Sequence, residues 1–104
     1  MGTSLFDLNG RIALVSGASR GIGRAIAELL AEQGAHVIIS SRKADDCENV
    51  AREIVQAGGS AESVACQIAD LQQIRDTIAA VRERHGKLDI LVNNAATNPN
   101  FGHI

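Results

Sequence analysis

Two rhythms of apolar residues alternate along this chain. Residues 11–16 (Arg-Ile-Ala-Leu-Val-Ser) form a short unbroken apolar run, the pattern of a strand buried on both faces of a sheet. Residues 21–33 then place Ile22, Ile26, Leu29 and Leu30 on one helical face, with Gly34 where a helix stops. A second buried strand is expected at 36–40. Residues 44–57 set Cys47, Val50, Ala51, Ile54 and Val55 at i, i+3, i+4, i+7 and i+8, a one-sided helix ended by Gly58 and Gly59. A third strand is expected at 62–68. Asp70 caps a helix that carries Leu71, Ile74, Ile78 and Val81 on its buried stripe and stops at Gly86. Residues 88–92 make a fourth strand. Ahead of all this, Leu5, Phe6 and Leu8 precede an Asn9-Gly10 turn and are expected to pack on the sheet as an apolar arm.

The order β-α-β-α-β-α-β, with short links, predicts an α/β fold: a doubly wound parallel sheet with right-handed crossovers and helices on both faces. A length of 104 residues allows one domain, and no repeat or low-complexity segment divides it. Composition is 45% hydrophobic and 21% charged with a net charge of −2, which argues against nucleic-acid binding and a polybasic membrane patch. No apolar run is long enough to span a bilayer, and a secretory n-region and h-region are missing at the N-terminus, so no membrane partner is expected. Cys47 and Cys66 make neither a metal-ligand spacing nor a disulfide framework, so the expected setting is reducing and cytoplasmic. Aromatics are 2% of the chain, just Phe6 and Phe101, too few to line a large aromatic pocket.

Candidate chemistry begins where the first strand meets the first helix. Gly17 allows a sharp departure from the strand, while Gly21 and Gly23 carry no side chain to block a pyrophosphate from the N–H groups at the positive helix end. Ser19 adds a hydroxyl and Arg20 a charge. The alternative is a glycine-rich turn with no ligand. At the first βα turn of a doubly wound sheet, a phosphate cradle is the reading preferred.

The spacing is G-x-x-x-G-x-G, neither the common G-x-G-x-x-G fingerprint nor a Walker loop, since no G-K-[ST] follows. In this the chain resembles the short-chain dehydrogenase/reductase family, whose loop reads T-G-x-x-x-G-I-G; Ser16 stands where the motif has Thr. A second family signature, N-N-A-G after the fourth strand, is matched by Asn93-Asn94-Ala95-Ala96, with Ala96 in place of Gly. The resemblance runs from Arg11 to about Gly102, and the tail is similar to the branch of carbonyl and retinol reductases of the member-4 dehydrogenase/reductase type. It implies a Rossmann sheet of strand order 3-2-1-4, incomplete in the part present. Residues 1–104 would then be the NADP-binding N-terminal half of the family's domain.

By the same resemblance Gly17, Ser19, Arg20, Gly21, Ile22 and Gly23 form the cofactor loop. After the second strand, a carboxylate would hold the adenosine ribose of NAD and repel a 2′-phosphate. This chain has Ser41 and Arg42 there, a hydroxyl donor and a planar charged fork that suit the extra phosphate of NADP. NADP is thus expected ahead of NAD, the alternative being that Arg20 and Arg42 are solvated surface residues. The family places a carboxylate and an apolar residue against adenine, which Gln67 and Ile68 match without the charge. Gln67 is either an amide partner of adenine or an exposed strand-end residue. Asn94 and Ala95 fall beside the adenosine ribose, and Asn93 where the family ties neighbouring strands together.

Other residues read as structural. Cys47 and Cys66 are small core residues, and His85 suits a helix C-terminus as a cation. None of His36, His85 and His103 pairs with a carboxylate or cysteine at ligand spacing, so no metal site is expected. The family's hydride transfer between nicotinamide and a carbonyl or alcohol uses a Ser and a Y-x-x-x-K motif after the fourth strand. This chain has no tyrosine, and no residue is assigned as catalytic. Two functions stay open: the cofactor half of an NADP-dependent oxidoreductase, inactive alone, or a non-catalytic nucleotide-binding or interaction module. A methyltransferase-like domain binding S-adenosylmethionine is a remote third, opposed by the Asn-Asn-Ala stretch and the helix-opening Gly-Ile-Gly. An unpaired edge on the fourth strand predicts a homo-oligomer.

Overall fold

Alternating strands and helices form as the apolar pattern requires. In the computed structural model, which describes residues 7–17, 21–41, 44–65 and 71–93, they run β1 (Ile12–Ser16), α1 (Gly21–Glu32), β2 (His36–Ser41), α2 (Ala44–Gln56), β3 (Ser60–Ala65), α3 (Leu71–His85) and β4 (Ile90–Asn93). All pairings are parallel and the sheet order is β3-β2-β1-β4, as expected. The chain steps outward from β1 to β3, then returns to lay β4 on the other side of β1. That reversal makes the C-terminal ends of β1 and β4 a topological switch point, where open α/β sheets bind ligands.

The strand residues alternate between two apolar layers. Ala13, Val15, Val37 and Ile39 face α1 and α2, meeting Ala27, Ala31, Cys47, Val50, Ala51 and Ile54. On the opposite face Leu14 and Ile38 pack with Val81 of α3, flanked by Ile12, Val64, Ile78 and Leu88. Leu8 packs on the first layer, and its N–H donates to the Gln33 carbonyl at 2.8 Å, so the arm is anchored from Leu8 onward. Leu5 and Phe6 lie outside the described residues, as does the Asp70 cap.

The structure corrects the face of α1. Ile22 and Leu29, assigned to its buried side, are 73% and 57% exposed. The buried residues are Gly23, Ala27 and Ala31, a stripe roughly a third of a turn away. Spaced four apart, these small residues let the helix axis settle close to the sheet, whereas a Leu stripe would hold it off. Val55 of α2 is likewise exposed rather than buried. β3 begins earlier than expected, at Ser60, because Ser60 and Ala61 pair with His36 and Val37; residues 66–68 lie outside the described part. β4 runs 90–93 rather than 88–92; just ahead of it Asp89 is still tied to β1, its N–H donating to the Ile12 carbonyl at 2.9 Å and its carboxylate, in place of its own carbonyl, accepting the Ile12 N–H at 2.8 Å.

Helix stops follow the glycines. After α1, Gly34 at φ +106° donates to the Ala31 carbonyl and Ala35 to the Leu30 carbonyl, the paired bonds of a Schellman motif. Gly58 and Gly59 close α2 through the carbonyls of Val55 and Ile54. No described helix is long and apolar enough to cross a membrane.

Candidate cofactor site

Register brings the C-terminal ends of the strands level. Ser16 of β1 pairs with Ser40 of β2 on one side and Asn93 of β4 on the other. Its buried hydroxyl lies 2.8 Å from Asn93 Oδ1 and donates to it, tying β1 to β4 at the switch point. Asn93 therefore holds neighbouring strands, the role its motif implied, and a hydroxyl at position 16 is what the contact needs. Beyond Ser16 the Gly17 N–H donates to the Ser40 carbonyl at 2.8 Å, the last backbone bond before the chain leaves the sheet.

The path from β1 to α1 rests on two backbone conformations that side chains disfavour. Gly17 has φ +66° and Gly21 φ +67°. Among the described residues, a Cβ built on Gly21 meets nothing within 4 Å, so none of them fills the space beside the first turn of α1 there. The first-turn N–H groups there have no helical acceptors. No acidic residue lies in that turn, whereas α2 opens with Asp45 and Asp46. The positive end of α1 is thus left to whatever occupies that space. Arg24 holds the helix in place from below, bonded to Glu28 on its own helix at 3.0 Å and to Glu53 on α2.

Of the residues assigned to the site from sequence, Gly17, Gly21, Ile22, Gly23 and Ser41 are described. Gly17 lies where the chain leaves β1, and Gly21, Ile22 and Gly23 open α1, with Gly23 buried and Ile22 exposed. Ser41 ends β2, and its hydroxyl is hydrogen-bonded to the thiol of Cys47. Burial pushes that thiol up, with the Ser41 bond acting the other way. Ser19, Arg20, Arg42, Gln67, Ile68, Asn94 and Ala95 lie outside the described residues.

Two features escaped the sequence. The Ser40 hydroxyl is fully buried and has no hydrogen-bond partner among the described residues. The histidine expectation is also corrected: His36 and His85 both reach Glu62, at 2.8 and 2.6 Å from its Oε2. The available signal was strand register. His36 opposes Ser60, so Glu62, two residues on, shares its face, and α3 ends above it.

A doubly wound sheet with glycines at the helix start beside its switch point is the architecture in which open α/β sheets bind ligands. The short chain dehydrogenase family model matches residues 11–103, and the chain belongs to that family. It is 39% identical over 97 residues to mouse dehydrogenase/reductase SDR family member 4, covering 93% of this chain and 35% of that protein. To human SDR family member 1 it is 44% identical over 89 residues, 85% of this chain and 28% of the relative. The chain thus spans about a third of the length of such relatives. Among solved structures, the active-site complex of Pseudomonas aeruginosa RhlG with NADP superposes with a TM-score of 0.79 at 44% identity, covering 90% of this chain and 38% of that one. A 7α-hydroxysteroid dehydrogenase complexed with NADH and a 7-oxo bile acid gives 0.76 at 39% identity, over 84% of this chain and 34% of that one.

Proposed function

We propose that this chain is the cofactor-holding part of an NADP-dependent oxidoreductase acting on a carbonyl or alcohol substrate. The observation that carries the reading is the start of α1 at the switch point, with Gly21 at φ +67° and no described residue within 4 Å of its Cβ position. The backbone N–H groups of Gly21, Ile22 and Gly23 take the pyrophosphate, Gly17 and Gly21 keeping the approach clear. Ser19 adds a hydroxyl to that cradle, Arg42, Ser41 and Arg20 receive the 2′-phosphate, Gln67 and Ile68 the adenine, and Asn94 and Ala95 the adenosine ribose. When bound, the nicotinamide supplies hydride exchange with the substrate carbon. The 104 residues hold no tyrosine, so the family's proton-transferring Tyr is not among them. The stretch contributes binding and orientation, and turnover needs groups from outside it. Two observations support NADP rather than NAD: the chain has Ser41 and Arg42, and no acid, at the end of β2, and a solved structure at 44% identity is an NADP complex. The cytoplasmic setting and assembly of copies through the exposed β4 face, where Leu91 is uncovered, belong to the same reading.

Arg42→Ala tests it. The variant is expected to lose affinity for 2′,5′-ADP by about 10- to 150-fold, the loss of one charge-assisted contact worth ~1.5–3 kcal/mol, while 5′-AMP binding stays as it was. Equal losses for both ligands would refute the assignment of Arg42. Carbonyl-dependent NADPH oxidation, assayed with this stretch joined to a C-terminal part that carries the Ser and Y-x-x-x-K groups, then separates the enzyme reading from a non-catalytic nucleotide-binding module.

A further inference from the structure

At the opposite end of the sheet from the glycine loop, three side chains converge that the cofactor reading does not use. His36 opens β2, Glu62 lies near the start of β3, and His85 ends α3. Both imidazole Nε2 atoms lie against one oxygen, Glu62 Oε2, at 2.8 and 2.6 Å. The ring centroids are 5.1 Å apart and the rings are tilted at 47° to each other. The other carboxylate oxygen is held by Arg84 at 2.7 Å, which fixes the plane of the carboxyl and leaves Oε2 directed at the histidines. Each of the three side chains is about a fifth to a quarter exposed, so the cluster is sheltered yet reachable from solvent.

We propose that His36, Glu62 and His85 form a structural site for a divalent transition-metal ion of the zinc class. The donor set is two imidazole nitrogens and one carboxylate oxygen, which suits zinc and its neighbours rather than magnesium or calcium. The three donor atoms lie within 4.8 Å of one another. Zinc at about 2.0–2.1 Å from each needs them roughly 3.4 Å apart, so the two hydrogen bonds open slightly and each ring tips by less than about 1 Å. The metal takes the place of the proton on each Nε2. His36 Nδ1 already faces Ser60 Oγ at hydrogen-bond distance, and Nδ1–H donating there sets the ring for coordination through Nε2. A fourth position is open to water. The ion would join the starts of two strands to the end of a helix, fastening α3 to the β2–β3 edge. Its role is structural, since nothing places it near the switch point.

The test is zinc chloride titrated into the whole chain against a chromophoric chelator, with cobalt(II) chloride as a spectroscopic substitute. One equivalent is expected to bind, with a cobalt spectrum free of thiolate charge-transfer bands. His36→Gln and His85→Gln should each weaken zinc binding about tenfold or more, and Ser60→Ala by about 10-fold, as loss of an orienting partner does. Ser60 is exposed, so its variant keeps the test open if a histidine variant fails to fold. His103→Gln, which removes the only other histidine, should leave binding unchanged. Zinc affinity unaffected by Ser60→Ala and by both cluster histidines, or cobalt bands from Cys47 or Cys66, would overturn the proposal.

Discussion

Gly21→Ala separates the two jobs a positive-φ glycine can do. At φ +67° with nothing within 4 Å of the new methyl, the substitution costs conformational strain and no clash. That strain is about 1–2 kcal/mol, partly offset by ~0.4–1 kcal/mol from a stiffer unfolded chain. The net is roughly 1 kcal/mol, or about 4–8 °C in Tm for a chain of this size. Gly58 is a matched control: φ is +98°, again with nothing within 4 Å, but it ends α2 far from the switch point. Gly58→Ala should therefore show a similar loss of stability. The variants diverge in binding. In Gly21→Ala the added methyl enters the space where a phosphate would meet the first-turn N–H groups, and losing one charge-assisted hydrogen bond costs ~1.5–3 kcal/mol, about 10- to 150-fold in Kd. Thermal unfolding by circular dichroism and an NADPH fluorescence titration read both quantities on the same preparations. If folded Gly21→Ala binds NADPH as tightly as the parent, the phosphate does not sit on this turn.

Further consequences follow from packing and charge. Gly34→Ala should cost more than Gly58→Ala, by a further ~1–3 kcal/mol, because its Cβ would collide with the Asn9 side chain and come within 3.0 Å of the Asn9 backbone nitrogen; urea denaturation of the two reads the difference. Ser40→Ala removes a buried hydroxyl that has no partner among the described residues, so stability should hold or rise by up to about 1 kcal/mol, and a clear loss would mean that the hydroxyl is satisfied. Burial works against the charge on Glu62, but His36, His85 and Arg84 outweigh it and hold its carboxyl below the ordinary 4.5. A depressed folded value stabilises the protein fully above about pH 4.5 and is lost as pH falls through that lower value; Glu62→Gln should flatten this acid limb in unfolding measured from pH 7 to 3.

The elements and the glycine turn were legible because each depends on local pattern: buried strands read as unbroken apolar runs, and glycine marks the points of positive φ. The β-α alternation set the fold class but is compatible with more than one strand order, and the order 3-2-1-4 came from the family resemblance. The face of α1 was not legible, because the rule that large apolar residues lie inside was overridden by closeness of approach. Gly23, Ala27 and Ala31 win the sheet-facing side by being small, and Ile22 and Leu29 are left outside. The His36–Glu62–His85 cluster was invisible for another reason. Its members are 26 and 23 residues apart and meet only once the register of β2 on β3 and the end point of α3 are set. The hydroxyl of Ser16 was noted as a motif substitution, but its bond to Asn93 needed β4 placed beside β1.

The central claim is that this stretch holds NADP in preference to NAD, its pyrophosphate on the first turn of α1 and its 2′-phosphate on Ser41 and Arg42. Titrating the protein with NADPH and with NADH, under one buffer and salt, tests it most directly. The account predicts saturable one-to-one binding of NADPH, at least about tenfold tighter than NADH through the added 2′-phosphate contacts. Equal affinity for the two, or tighter binding of NADH, would contradict it.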